Sequence, residues 1–370
     1  MIKPQKLNKG DKIAIVSLSS GILGMPFCKH ELDIAIKRLK EFGLVPVIMP
    51  NALKGMEYIK EHPEARASDL KTAFMDDSIK AIITAIGGND TYKTIPYLME
   101  DPEFITAVKN NPKIFTGFSD TTNNHLMLNK IGLSTFYGPC LLVDIAELDN
   151  EMLPYTKEQF EKFFLNQEAY EITSSPVWYS DRKSYGPEEI GKPREINKET
   201  HGFETLNGNG TVTGKLYGGC IESIYDAFTG IEFADEPFIY EKYNIFPTDK
   251  EWQEKILFLE TSELSVTPAE LEKMLLEFKK RNIFNLVKGL IVGKPIDEKY
   301  YEEYKEVYKK VFSDIDTPIL YNVNFGHSVP RCIIPYDAET TIDYDNKRIF
   351  INSKILEQNF DNIKSIKKHR

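Results

Sequence analysis

Between Lys12 and Tyr137 the chain alternates short apolar runs with segments of helical spacing, joined by brief links, and this rhythm restricts the fold more than any other feature. Lys12–Ser17 is a buried-strand run entered from the turn Gly10-Asp11. From Glu31 to Phe42 the apolar residues recur at helical spacing, and Gly43 suits the position just past a helix end. Leu44–Ile48 reads as a second strand, with Pro46 marking an edge or a strand start. Ser68–Met75 reads as a helix capped by Ser68. Ile79–Ile86 is a third strand, ending at Gly87-Gly88-Asn89-Asp90, and Thr91–Met99 is helical. Lys113–Thr116 is the next strand, followed after Ser119 by a helix to about Lys130, a stop at Gly132 and a further extended run over Ser134–Tyr137. Such alternation implies a parallel sheet covered on both faces. Ligands of such sheets bind at the carboxyl ends of strands, where Gly87-Gly88 and Ser119 both fall.

The rhythm is lost over 150–210. The stretch from Ser174-Ser175-Pro176 to Gly208-Asn209-Gly210 is rich in Pro, Gly, Asn and charge and reads as a linker or long loop. Strand patterns return at Thr211–Tyr217, Lys255–Glu260, Leu286–Val292 and Thr317–Asn322, with helices over Pro268–Lys280 and Tyr300–Phe312. The expected organisation is α/β in three parts: 1–165 carrying the nucleophile, an irregular linker or substrate loop over 166–210, and a second α/β unit over 211–370. A length of 370 residues suits two domains.

Hydrophobic content of 41% and charged content of 28% suit a soluble chain with a full core. A net charge of −10 argues against a nucleic-acid polymer as partner. The locally basic run Asn362–Arg370 reads as a solvated tail. Cys28, Cys140, Cys220 and Cys332 form no C-x-x-C pair, and no H-E-x-x-H occurs, so neither a metal nor any other cofactor is expected. No signal-type core follows Met1–Lys6, and no apolar stretch is long enough to span a bilayer, so a reduced, cytoplasmic protein without a membrane role is expected.

Gly117-Phe118-Ser119-Asp120 lies between a strand and a helix pattern. A serine on so sharp a turn stands clear of its sheet, and the N–H groups opening the helix can stabilise an oxyanion. The second glycine of G-x-S-x-G is missing. Ser119 needs a base, and the base needs an orienting acceptor. Of six histidines, His30, His62 and His369 read as solvated, His125 as structural and His201 as a loop residue. His327 stands apart, between Gly326 and Ser328-Val329-Pro330 after a strand. Glu260, directly after an apolar strand, is either a surface or capping group or an active-site acceptor. Asp11, Asp90 and Asp120 compete for that role, although the Asp120 side chain suits the start of the following helix, with its N–H left for the oxyanion. Gly88 belongs either to a tight turn or to a second oxyanion donor. Trp178 and Tyr185 either pack a loop down or stack on a planar substrate group.

Taken in order, Gly87-Gly88, Gly117–Thr122, Phe136–Pro139, Gly214–Gly219, Leu257–Glu260 and Gly326–Pro330 resemble the LD-carboxypeptidase family of serine peptidases, over nearly the whole chain. That family includes muropeptide carboxypeptidases and microcin C self-immunity proteins. The resemblance implies a flavodoxin-like N-terminal domain, a smaller C-terminal α/β domain and a homodimer. It implies a Ser119–Glu260–His327 triad in the cleft between the domains, with an oxyanion hole from the N–H groups of Gly88 and Asp120. Ile86-Gly87-Gly88-Asn89-Asp90 in place of Arg-Gly-Gly-Tyr-Gly, and the long insertion over 165–210, are closer to the microcin-immunity branch. There a loop aromatic stacks on the nucleotide base, a role open to Tyr185 or Trp178, and Asn89 is a further substrate-binding candidate. Cys220 stands where the family often has asparagine. The expected activity is cleavage of an amide near the C-terminal end of a small peptidyl-nucleotide through an acyl-enzyme. The rivals are LD-carboxypeptidase action on muropeptides and a catalytically silent ligand-binding protein on the same scaffold.

Overall fold

The computed structural model describes residues 1–358, and the basic run over 362–370 lies outside the described residues. The chain builds two sheets. The first takes β1 (Lys12–Val16), β2 (Val45–Ile48), β3 (Ile79–Thr84), β4 (Ile114–Gly117) and β5 (Phe136–Tyr137). They lie in the order β5-β4-β3-β1-β2, all parallel, which is the flavodoxin-like winding. β1, β3 and β4 are apolar almost throughout because helices cover both faces, and Ile15, Ile82, Ile83 and Phe115 are fully buried. Pro46 sits in β2 at the sheet edge, where a missing N–H interrupts no central ladder.

Two local features differ from the sequence reading. The helix expected from Ser68 starts at Pro63, with His62 as N-cap, because proline at the first position presets the helical φ. Ser68 lies inside that helix and faces solvent. A further helix, Pro102–Asn110, is capped by Asp101, whose side chain accepts from the N–H groups of Glu103 and Phe104.

The remaining strands are β6 (Tyr170–Ile172), β7 (Val177–Tyr179), β8 (Ile196–Lys198), β9 (Glu204–Asn207), β10 (Thr211–Cys220), β11 (Lys255–Glu260), β12 (Gly289–Gly293), β13 (Ile319–Val323), β14 (Ile334–Pro335), β15 (Glu339–Asp343) and β16 (Arg348–Ile351). Eight form the second sheet, ordered β6-β16-β15-β10-β11-β12-β13-β9, with a parallel centre from β10 to β13 and antiparallel flanks. β14 crosses back to pair with β5 in the first sheet. The segment 166–210 is more ordered than its composition indicates. It supplies both edges of the second sheet, β6 and β9, and the separate hairpin β7–β8.

The helix Thr121–Ile131, which follows β4, packs against β10 and the helix Ile221–Thr229. The Cys220 N–H donates to Thr122 Oγ1 across this junction at 3.0 Å. The carboxyl ends of β3, β4, β11 and β13 thereby open on one cleft between the sheets.

Candidate active site

Ser119 stands on the turn between β4 and the helix Thr121–Ile131 with φ of 65°, a left-handed conformation that a serine adopts only when its surroundings impose it. The opposing turn must approach it closely. A Cβ on Gly87 would lie 2.8 Å from Ser119 Oγ, so only glycine fits there. From the second sheet, Glu260 ends β11, and His327 follows β13 after Gly326. A Cβ on Gly326 would lie 2.3 Å from the Glu260 carboxyl carbon. This glycine lets the loop fold over the carboxylate and present the imidazole.

The three side chains form a continuous line. Ser119 Oγ lies 3.1 Å from His327 Nε2, and His327 Nδ1 lies 2.8 Å from Glu260 Oε2. The His327 N–H also donates to Glu260 Oε2, at 3.1 Å. Glu260 and His327 are buried, at 1% and 7% exposure. The ring of Phe118 packs edge-on to His327 and carries the Arg331 guanidinium over its other contact surface at 4.1 Å. Arg331 in turn pairs with Asp144 at 2.8 Å. This packing holds the imidazole plane.

Tyr137, at the end of β5, is a component that sequence reasoning missed. Its hydroxyl donates to Glu260 Oε1 at 2.5 Å and accepts the Ser119 N–H at 3.0 Å, tying the nucleophile of one sheet to the acceptor of the other. Its place at a strand end beside β4 was the available signal. Because the Ser119 N–H is used in this way, the neighbouring N–H groups remain for a ligand. Among the described residues, neither Gly88 nor Asp120 donates its N–H to any backbone or side-chain acceptor.

Glu263 was also missed. Its carboxylate lies 2.9 Å from His327 Nε2, on the atom that Ser119 approaches. Burial opposes a charged His327, but the Glu260 and Glu263 carboxylates outweigh it and raise the imidazole pKa to about 10. A protonated Nε2 donates and cannot accept a proton from Ser119. The Glu263 carboxylate and the Ser119 hydroxyl therefore compete for the same imidazole nitrogen.

The other candidates separate clearly. Asp120 is the N-cap residue of the helix, lies in the αR region and makes no side-chain capping bond to a backbone N–H. Its carboxylate accepts from Ser19 Oγ at 2.5 Å and the Thr91 N–H at 2.9 Å on the opposing turn, and from Asn123 at 2.7 Å in the first turn of the helix. Burial is the main cause that raises it to about 6. Asp90 is held by the buried Arg66 at 2.6 Å, and Asp11 accepts the Asn8 N–H at the surface. His125 is structural, between the Gly117 carbonyl and Thr135, and burial lowers it to about 3. His30, expected to be solvated, instead meets the Tyr185 carbonyl at 2.9 Å. His201 stacks on Tyr301. Cys220, Glu260 and His327 place one donor atom each within 4.8 Å of one another. Burial and the Glu222 and Glu260 carboxylates push the Cys220 thiol well above its usual value, whereas ligation needs the thiolate. The thiol donates to Glu222 at 3.2 Å.

Two cavities meet at Ser119. One, of about 590 Å³, is mainly apolar, with Phe27, Phe118, Leu142, Ile296 and Val329 around Tyr185. The Tyr185 hydroxyl donates to Asp181 at 2.6 Å, which fixes the ring at the cavity wall. Trp178 lines neither cavity; Lys294 lies over its ring at 5.3 Å. The other cavity, of about 290 Å³, is lined by Gly88, Asn89 and Ser119 on one side and by the helix Ile221–Thr229 on the other. Asn89 is engaged there by Glu232.

Among known proteins, the family models for the LD-carboxypeptidase N-terminal and C-terminal domains match residues 13–138 and 213–342, in that order. An MccF-like protein from Streptococcus pneumoniae, solved in complex with AMP, is 46% identical and superposes with a TM-score of 0.88, over 92% of this chain and 98% of that one. The microcin C7 self-immunity protein MccF of Escherichia coli is 27% identical over 302 residues, 79% of each chain. A probable murein peptide carboxypeptidase of Bacillus subtilis is 26% identical over 362 residues, 96% of each chain. Among the described residues no helix is long and apolar enough to cross a membrane. With both halves of one family matched in order around a shared cleft, this chain belongs to the LD-carboxypeptidase family of serine peptidases and is a hydrolase.

Proposed function

We propose that Ser119, His327 and Glu260 form the catalytic triad of a serine hydrolase that cleaves an amide at the C-terminal end of a peptidyl-nucleotide. The observation that carries this reading is the hydrogen-bonded line from Ser119 Oγ through His327 to Glu260, opening on an apolar cavity walled by Tyr185. Substrate entry displaces Glu263 from Nε2, and the neutral imidazole then takes the Ser119 proton as Oγ attacks the carbonyl. Glu260 accepts the Nδ1–H and balances the imidazolium. The N–H groups of Gly88 and Asp120 receive the oxyanion. His327 returns the proton to the leaving nitrogen, the ester to Ser119 forms, and a water activated in the same way releases the acid. The apolar cavity suits the base and ribose of a nucleoside leaving group, with Tyr185 available to stack. The relative solved with AMP supports the nucleotide part of the reading. The same reading takes the protein as a cytoplasmic homodimer.

The murein peptide carboxypeptidase relative, matched along 96% of its length, supports the second reading, removal of a terminal residue from a muropeptide. Incubation of the purified protein with an N-acyl-aminoacyl sulfamoyl adenosine and, separately, with an LD-linked muropeptide decides between them by mass spectrometry of the products. Cleavage of the nucleotide conjugate, abolished in Ser119→Ala, is the expected result. Cleavage of the muropeptide alone replaces the first reading with the second, and ligand binding without turnover in the wild type removes both.

A further inference from the structure

The smaller cavity beside Ser119 is acidic. Most of its carboxylates are engaged: Asp120 by Ser19 and Thr91, Glu222 by Ser262, Glu232 by Asn89, Glu263 by His327, and Glu270 in the capping box of Thr267. Two are not. The carboxylates of Asp226, on the helix Ile221–Thr229, and of Glu236, after the following loop, accept no hydrogen bond and make no ion pair with any described residue. Glu236 is only 2% exposed and yet lines the cavity. Burial, and after it the surrounding carboxylates, raise Glu236 to about 9 and Asp226 to about 7. Lys273, also at the cavity wall, lies over the Tyr225 ring at 5.9 Å. A buried, unpartnered carboxyl beside a second one, in a space open to the nucleophile, lacks a cation that a ligand can bring.

We propose that Asp226 and Glu236 form a subsite for a primary ammonium group on the acyl part of the substrate. The inference rests on the peptidyl-nucleotide reading, in which the nucleoside fills the apolar cavity and the acyl residue is left with the acidic one. In a peptidyl substrate the α-nitrogen of that residue is acylated and uncharged, so the ammonium belongs to its side chain. The substrate class is therefore a peptidyl-nucleotide whose last residue is lysine-like, because a carboxylate side chain brings no cation to the pair and meets like charge wherever either group is ionised.

The test compares N-acetyl-lysyl, N-acetyl-norleucyl and N-acetyl-glutamyl sulfamoyl adenosine, whose unbranched stems end in an ammonium, a methyl and a carboxylate group. The wild type is expected to cleave the lysyl compound with kcat/KM at least ~10-fold above the norleucyl one, and the glutamyl compound most slowly. In Asp226→Asn and Glu236→Gln, checked for native fold by circular dichroism, the lysyl-to-norleucyl ratio is expected to fall toward one. Equal rates for the three compounds, a preference for the glutamyl one, or a ratio unchanged in both variants overturns the subsite while leaving the hydrolase reading in place. Cleavage of none of them, with a muropeptide cleaved instead, overturns the peptidyl-nucleotide reading and the subsite with it.

Discussion

Replacing Glu263 with glutamine is expected to make the enzyme faster at neutral pH. In the resting cleft His327 Nε2 faces Glu263 at 2.9 Å and Ser119 at 3.1 Å, while Nδ1 faces Glu260. The Cys220 thiol lies nearby, and Arg331 donates to the His327 carbonyl at 3.4 Å. With both carboxylates present the imidazole pKa is about 10. A contacting carboxylate raises a partner's pKa by ~1–3 units. The Glu263 side chain is 59% exposed, so solvent screening places its share near the low end, ~1 unit. Only the neutral imidazole can accept the Ser119 proton, and at pH 7, below both pKa values, its fraction rises tenfold for each unit the pKa falls. Glu263→Gln should therefore raise kcat/KM at pH 7 by ~10-fold and move the acid limb of the profile ~1 unit lower, with the limb still above the free histidine value because Glu260 remains. The assay is kcat/KM against pH with N-acetyl-norleucyl sulfamoyl adenosine, whose side chain brings no charge of its own into the cleft. A limb at the same pH in both proteins, or equal rates at pH 7, refutes the account of Glu263 as the group that occupies the base.

Glu260→Gln removes the charge that balances the imidazolium and is expected to lower kcat by ~10³–10⁴-fold, read by steady-state kinetics. Tyr137→Phe deprives both the Ser119 N–H and a Glu260 oxygen of a partner, and denaturant unfolding should show a loss of ~1–3 kcal/mol. Gly87→Ala puts a methyl group 2.8 Å from Ser119 Oγ, and the displaced nucleophile should turn over at least ~100-fold more slowly. Glu236 has a folded pKa of about 9, raised above the ordinary carboxyl value of ~4.3. Its contribution to stability is complete below ~4.3 and is lost as pH rises through about 9, so the unfolding temperature of Glu236→Gln should exceed that of the wild type by a margin that grows over this window.

The parallel sheet of the first half is legible in the residue pattern alone, because strands buried between two helical layers are continuous apolar runs and their links are short. That pattern also locates the serine turn, since the strand and helix patterns that create such a turn are local. The helix Pro268–Lys280 was legible to the residue, with proline at its first position and the capping box Thr267–Glu270 at its start. The strands β6 and β9 were not, because three- and four-residue segments have no period of their own, and their pairing partners β16 and β13 lie far along the chain. What surrounds the nucleophile emerges only from contacts between segments distant in the chain. Tyr137 reads as one more strand residue until β5 is seen beside β4 and opposite β11. Glu263, exposed in a loop, shows no pattern that announces its contact with His327. Asp226 and Glu236 read as ordinary helical acids until the cleft buries Glu236 and leaves both carboxylates without a partner among the described residues. Backbone rhythm is set by neighbours in sequence, whereas proton affinity and charge recognition are set by neighbours in space.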